Sequence, residues 1–212
     1  MQRNIFGTFA AVFALASVPA AAQTSAKAAT YITDEEVKTV NKEPGIDRTI
    51  RVVDIGNEHF AVGIIHRVAT AATAGRGTPP APAAAAPAGE TCGESATAAP
   101  AGVANGIAHD SQTEGYLIVS GGGTLVTGGQ IANGRKSAPD SDVTKILNGP
   151  SCSGSIVGSD VVKRAVKVGD IVIIPAGVPH GWSDIPDHVD YLSFRPSDHV
   201  LPAGYVHPSI KK

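Results

Sequence analysis

Two short segments combine residues that can do chemistry with spacings that would bring them together. In His109-Asp110-Ser111-Gln112-Thr113-Glu114, a two-residue turn at Ser111-Gln112 sets Asp110 against Thr113 and His109 against Glu114. Directly opposed residues on a β-ladder share a face, with Cβ atoms about 5 Å apart. An imidazole and a carboxylate would then project together, and both are donor types for divalent metals. Alternation along the following strand puts Tyr116 and Ile118 on that face, so the surroundings are partly apolar. In the second segment, the apolar run Ile171 to Ile174 enters Pro175-Ala176-Gly177 and delivers His180 three residues later. Trp182, the only tryptophan, shares the face of His180 on an extended strand, as a plug or as a stacking surface. Gln112 is a weaker candidate donor if its turn folds inward.

The elements that must position these residues are strands and turns. Thr33-Asp34-Glu35-Glu36 is a capping box, which predicts a short helix to about Asn41, stopped by Pro44-Gly45. Thr49 to Ile55 and Phe60 to Val68, separated by Gly56-Asn57-Glu58, predict a β-hairpin. Residues 69–104 hold 15 alanines and five prolines and almost no bulky apolar residue, the composition of a mobile surface excursion. Beyond Val103 the strand candidates are Gly115 to Ser120, Thr124 to Thr127, Val143 to Leu147, Ser155 to Val157, Val161 to Val168, Asp170 to Ile174 and Val189 to Phe194. Gly134 to Asp142 reads as loop, and Arg195-Pro196 as the end of the last strand, where the arginine is solvated or holds a carboxylate. Many short strands with glycine turns and few helices predict an all-β sandwich or barrel.

The second segment resembles the second cupin motif: Gly169, five residues, Pro175-x-Gly177, two residues, His180. The asparagine often found four residues later is Asp184 here. The first segment resembles the end of the first cupin motif, Glu114, six residues, Gly121, with His109 at the second histidine position. The first histidine position falls on Ile107, so one family ligand is missing. The resemblance covers roughly residues 103–196. It implies a cupin-type jelly-roll β-barrel, here with a short N-terminal helix, and a divalent metal held inside by His109, Glu114 and His180. Two imidazoles and a carboxylate with open positions suit Fe, Mn, Ni or Zn. The open positions would make the ion a Lewis acid for a small molecule. The missing ligand keeps a second reading open, a non-catalytic barrel that has lost the metal and binds a small molecule. A structural or interaction protein is a third. The resemblance also suggests a homodimer. It places the barrel core at 105–196, with the helical arm (23–48) and hairpin (49–68) before it and a tail (197–212) after it. His188, His199 and His207 have no ligand-like spacing, and His59 and His66 are lone histidines in or beside a strand, structural or exposed rather than ligands.

The ends and the cysteines bear on compartment. One charge at Arg3, an apolar run from Ile5 to Val18 and Ala20-Ala21-Ala22 form the pattern of a secretory signal over residues 1–22, with cleavage before Gln23. The run is too short to span a membrane. Export, to a periplasm or beyond the cell, makes Cys92 and Cys152 a disulfide pair, closing a loop of about 60 residues. A formal net charge of −2 gives no nucleic-acid footprint.

Overall fold

The computed structural model describes residues 28–70, 89–95 and 104–211. The signal-like segment lies outside the described residues, as does most of the Ala/Pro-rich stretch. In chain order the elements are helix α1 (Asp34–Asn41) and strands β1 (Asp47–Asp54), β2 (His59–Val68), β3 (Thr91–Cys92), β4 (Asn105–His109), β5 (Glu114–Thr127), β6 (Gln130–Lys136), β7 (Ser151–Val157), β8 (Val162–Lys167), β9 (Ile171–Ile174), β10 (His180–Asp184) and β11 (His188–Ser197).

The predicted capping box starts α1. Thr33 Oγ1 accepts from the Glu36 amide at 3.2 Å, and the Glu36 carboxylate accepts from the Thr33 amide at 3.1 Å. The helix buries Val40 against Ile50 and Ile64 and so closes the outer face of the first hairpin. That hairpin, β1 with β2, forms where the sequence placed it.

Among the described residues every strand pair is antiparallel, and β5 joins the two halves of the barrel. Its first half pairs with β11 on one side and β9 on the other; its second half pairs with β10 and β8. One half continues through β11, β2 and β1, the other through β10, β4, β7, β6 and β3. The architecture is an antiparallel jelly-roll β-barrel. The expectation of two strands separated by Gly121-Gly122-Gly123 is corrected: the glycines bend one continuous strand rather than ending it. Gly121 sits at φ +63°, and a Cβ there would stand 2.0 Å from the His188 carbonyl oxygen, so only glycine permits this bend. The central core draws from both halves, with Ile65, Ile118, Leu125, Val166, Ile174 and Val189 in one cluster. Each such side chain contributes about 1.5–3 kcal/mol on burial.

Other expectations change as well. Val143–Leu147 is a short helical turn, not a strand. The Ser141 hydroxyl accepts from the Thr144 amide, and the Ser141 carbonyl from the Lys145 amide, which satisfies groups a strand would have needed a neighbour for. Part of the expected loop after Gly134 is the end of β6. The last strand runs on to Ser197, and the residues after it pack back: Leu201 is buried against Val52 and Ala61.

Cys92 and Cys152 form a disulfide with a sequence separation of 60. It straddles β6, tying β3 to β7 across Gly134, where a Cβ would stand 2.6 Å from Cys152 Sγ. Such a bridge fits a non-reducing compartment. Among the described residues no helix is long and apolar enough to cross a membrane. Replacing both cysteines with serine is expected to lower unfolding free energy by about 4 kcal/mol, the entropy of a loop this long. Urea unfolding checks this, and an unchanged midpoint would contradict it.

Candidate metal centre

Glu114 opens β5 and His109 closes β4, but the hairpin expected between them does not form. β4 pairs with β10 and β7, and β5 with β11 and β9, so residues 110–113 cross from one half of the barrel to the other. The crossing is pinned where the Asp110 amide donates to the Pro150 carbonyl at 2.9 Å and Lys136 pairs with the Asp110 carboxylate at 2.6 Å. The two side chains therefore meet across the barrel interior and not along a ladder. The Pro175-Ala176-Gly177 turn docks on the same place: the Gly177 amide donates to the His109 carbonyl at 2.7 Å. That contact leads the chain into β10, whose first residue, His180, stands beside Ile107 on β4.

The three candidate ligands converge. His109 Nε2 lies 3.2 Å and His180 Nε2 3.0 Å from the same oxygen, Glu114 Oε2, and all three residues are buried. Their donor atoms lie within 4.8 Å of one another. Among the described residues this is the one group of three or more His, Cys, Asp or Glu with that property.

The surroundings of each ring fix which nitrogen faces inward. His180 Nδ1 is 3.0 Å from the Val178 carbonyl oxygen, which can only accept, so Nδ1 carries the proton. His109 Nδ1 is 2.9 Å from Ser151 Oγ, whose own proton goes to the Gly149 carbonyl at 2.9 Å, so this Nδ1 donates too. Both rings thus turn Nε2 to the interior, the arrangement outer partners impose on metal-binding histidines. His109 Nε2 is buried and has no hydrogen-bond partner. Its 3.2 Å approach to Glu114 Oε2 falls outside hydrogen-bond geometry, and a cation between the two atoms would satisfy both. Burial is the main influence on His109 and keeps its imidazolium below the ordinary value despite the pull of Glu114.

Glu114 divides its two oxygens. Oε1 is anchored, accepting from Ser193 Oγ at 2.8 Å and from Arg195 Nε at 2.9 Å. Oε2 accepts from the Tyr116 hydroxyl at 2.7 Å and faces the two histidines. Burial opposes ionisation most strongly, but the facing imidazoles and the Arg195 guanidinium outweigh it, and the carboxyl is held well below the usual carboxylate range. Burial pushes the Tyr116 phenol well above its ordinary value, so it remains a donor.

The residues fit a divalent ion. Two ligands each about 2.1 Å from one ion and at right angles stand about 3 Å apart, which the 3.0 and 3.2 Å separations match. Imidazole nitrogen with carboxylate oxygen suits Fe, Mn, Ni or Zn better than the all-oxygen preferences of calcium and magnesium. A cavity of ≈ 30 Å³ opens on the group, walled also by Ile107, Tyr116, Arg67 and Asn148. Two named candidates stand outside that wall. Gln112 is buried, with Nε2 3.4 Å from the Leu147 carbonyl oxygen. Trp182 packs on Tyr191 with ring centroids 5.6 Å apart.

The residue whose place the sequence ranked wrongly is Arg195, which holds carboxylates rather than ending in solvent. It is fully buried rather than at a solvated strand end. Its Nη2 pairs with both Asp47 oxygens at 2.7 Å, Nη1 donates to the Leu147 carbonyl at 2.9 Å, and Nε holds Glu114. Alternation could have found it: Val189, Tyr191, Ser193 and Arg195 occupy the buried face of β11 in turn.

No family model matches the chain, and no curated protein does. Among solved structures it is similar to the DMSP lyase DddQ from Ruegeria pomeroyi DSS-3, at 13% identity and a TM-score of 0.33, over 72% of this chain and 48% of that one. The chain thus spans about half the length of that lyase. It is also similar to a conserved protein with a double-stranded β-helix domain from Klebsiella pneumoniae, at 15% identity and TM-score 0.33, over 82% and 94% of the two chains. A Bacillus halodurans protein is 14% identical, with TM-score 0.38, over 87% and 92%.

Proposed function

We propose that this protein is an exported cupin-type protein that holds one divalent metal ion on His109, Glu114 and His180 and acts on a small molecule. The observation that carries the reading is the pair of imidazole Nε2 atoms converging on one carboxylate oxygen in a buried cluster. When bound, the ion would supply Lewis-acid chemistry at its open positions. The protein's own contribution is positional and electrostatic. Val178 and Ser151 hold the rings, Ser193 and Arg195 hold one oxygen of Glu114, and burial excludes bulk water. The disulfide and the signal-like N-terminus support export.

A second reading has one observation in its favour. Ile107 lines the cavity where the resemblance would put a third histidine, and Arg195 already neutralises Glu114. A non-catalytic binder of small organic molecules would need no more than this.

Thermal unfolding separates the two. Ni²⁺ or Mn²⁺ added to chelator-stripped protein is expected to raise Tm, approaching about 2.7 kcal/mol of stabilisation at a hundredfold excess over Kd. His180→Ala is expected to show no such rise. An identical response in parent and variant, or none in the parent, would go against the metal reading.

A further inference from the structure

Among the residues that wall the cavity, two carry a buried side-chain polar atom with no hydrogen-bond partner: His109 Nε2 and Asn148 Oδ1. The first belongs to the metal group. The second follows the short helical turn between β6 and β7 and lies on no strand. A buried amide oxygen left unpaired is costly, so its place calls for a partner that the chain itself does not supply. The backbone does not select asparagine here, since its φ of −125° is open to other residue types. Both chain neighbours of Asn148 are tied to the metal group. On one side the Leu147 carbonyl accepts from Arg195 Nη1 at 2.9 Å, and Arg195 Nε holds Glu114 Oε1 at 2.9 Å. On the other side the Gly149 carbonyl accepts from Ser151 Oγ at 2.9 Å, and Ser151 Oγ holds His109 Nδ1 at 2.9 Å. The side chains that orient Glu114 and His109 therefore also fix Asn148 at the cavity. Ile107 walls the same cavity and offers no donor, and Gln112 lies outside the wall.

We infer that Asn148 Oδ1 is a fourth protein ligand of the ion, in place of the donor missing at Ile107. The inference rests on the metal reading above. An amide oxygen can only accept, and a cation is the occupant that satisfies it together with His109 Nε2. A cavity of ≈ 30 Å³ has the space of about a water or two, so the donors that face it converge on one small ion. The amide completes a set of two nitrogens and two oxygens and adds no charge beside Arg195. A second oxygen donor suits manganese, which makes Mn²⁺ the probe of choice. The fourth ligand then comes from a turn outside the strands, which the spacing of the two motifs does not reveal.

The test compares the full chain with Asn148→Leu, which keeps the branched shape without the oxygen, and with Asn148→Asp, which keeps an oxygen donor. Mn²⁺ affinity is read by competition with a chromophoric chelator, and the stability of the metal-free proteins by urea unfolding. Asn148→Leu is expected to weaken Mn²⁺ by roughly tenfold or more. Its metal-free form is expected to unfold at the parent's urea midpoint or above it, because an unpaired buried oxygen is gone. Asn148→Asp is expected to hold Mn²⁺ at least as tightly as the parent. One Mn²⁺ per chain with equal affinity in parent and Asn148→Leu would overturn the inference and leave the metal reading standing. A metal-free Asn148→Leu that unfolds earlier than the parent would overturn it too, by showing that the side chain serves the fold. So would an Asn148→Asp as weak as Asn148→Leu. Absence of Mn²⁺ uptake by the parent would overturn the metal reading and this inference with it.

Discussion

Arg195→Met is expected to destabilise the protein by about 3–5 kcal/mol, the cost of leaving buried charges without their partner. Arg195 is fully buried and makes the ion pairs of both Asp47 and Glu114 in the cavity. Methionine keeps much of the volume and removes the charge, so the loss is electrostatic rather than a packing defect. Asp47 retains some access to solvent, with 18% of its side chain exposed, whereas Glu114 is almost wholly enclosed. Glu114 therefore carries most of the penalty. It then either ionises at a cost or takes up a proton and ceases to be a metal ligand. Adding Glu114→Gln to Arg195→Met is expected to recover part of the stability, because the stranded charge is gone. Urea unfolding of the two single variants and the double variant measures this coupling. A loss below 1 kcal/mol for Arg195→Met, or strictly additive effects, would contradict the pairing.

The second large effect is expected from Glu114→Gln alone. The side chain keeps its shape, and its amide oxygen can still accept from Ser193 and Arg195. The formal charge that would bind the cation is lost. Removing an outer partner of a metal ligand costs up to roughly 100-fold in affinity, and removing the charged ligand itself is expected to exceed that. Stability should fall less than in Arg195→Met, since Arg195 keeps Asp47. Metal affinity by competition with a chromophoric chelator reads the effect. A change under tenfold would show that Glu114 serves only as the counter-ion of Arg195.

The two motifs made the fold and the convergence of His109, Glu114 and His180 legible for physical reasons. The glycine and proline positions of Gly169 to His180 admit few backbone paths, and the turn they encode docks on His109. The capping box of α1 and the first hairpin are local features, satisfied by residues close in sequence. What sequence reading lost was non-local. His109 and Glu114 are five residues apart, a distance that suggests a hairpin, yet strand pairing over far longer separations pulls them to opposite halves of the barrel. The side chains still meet because the barrel closes on them. The Val143–Leu147 turn has the β-branched start of a strand but no neighbour to pair with. Arg195 looked like an end because a proline follows it, but an edge of that strand tolerates Pro196, and the alternation Tyr191, Ser193, Arg195 continues past the point where the apolar residues stop.

The outer partners were the least legible part of the site. Ser151, Val178 and Ser193 are unremarkable residue types, and two of the contacts that orient the rings end on backbone carbonyls. Their role follows only from knowing which side of each imidazole faces the carboxylate.

The most direct measurement is elemental analysis of the purified protein, after reconstitution with Fe, Mn, Ni and Zn in turn, beside a folded His109→Ala/His180→Ala variant. One divalent ion per chain in the parent and none in the variant is the predicted result. No retained metal in the parent under any of these conditions, or equal metal in parent and variant, would contradict the assignment of His109, Glu114 and His180 as a metal centre.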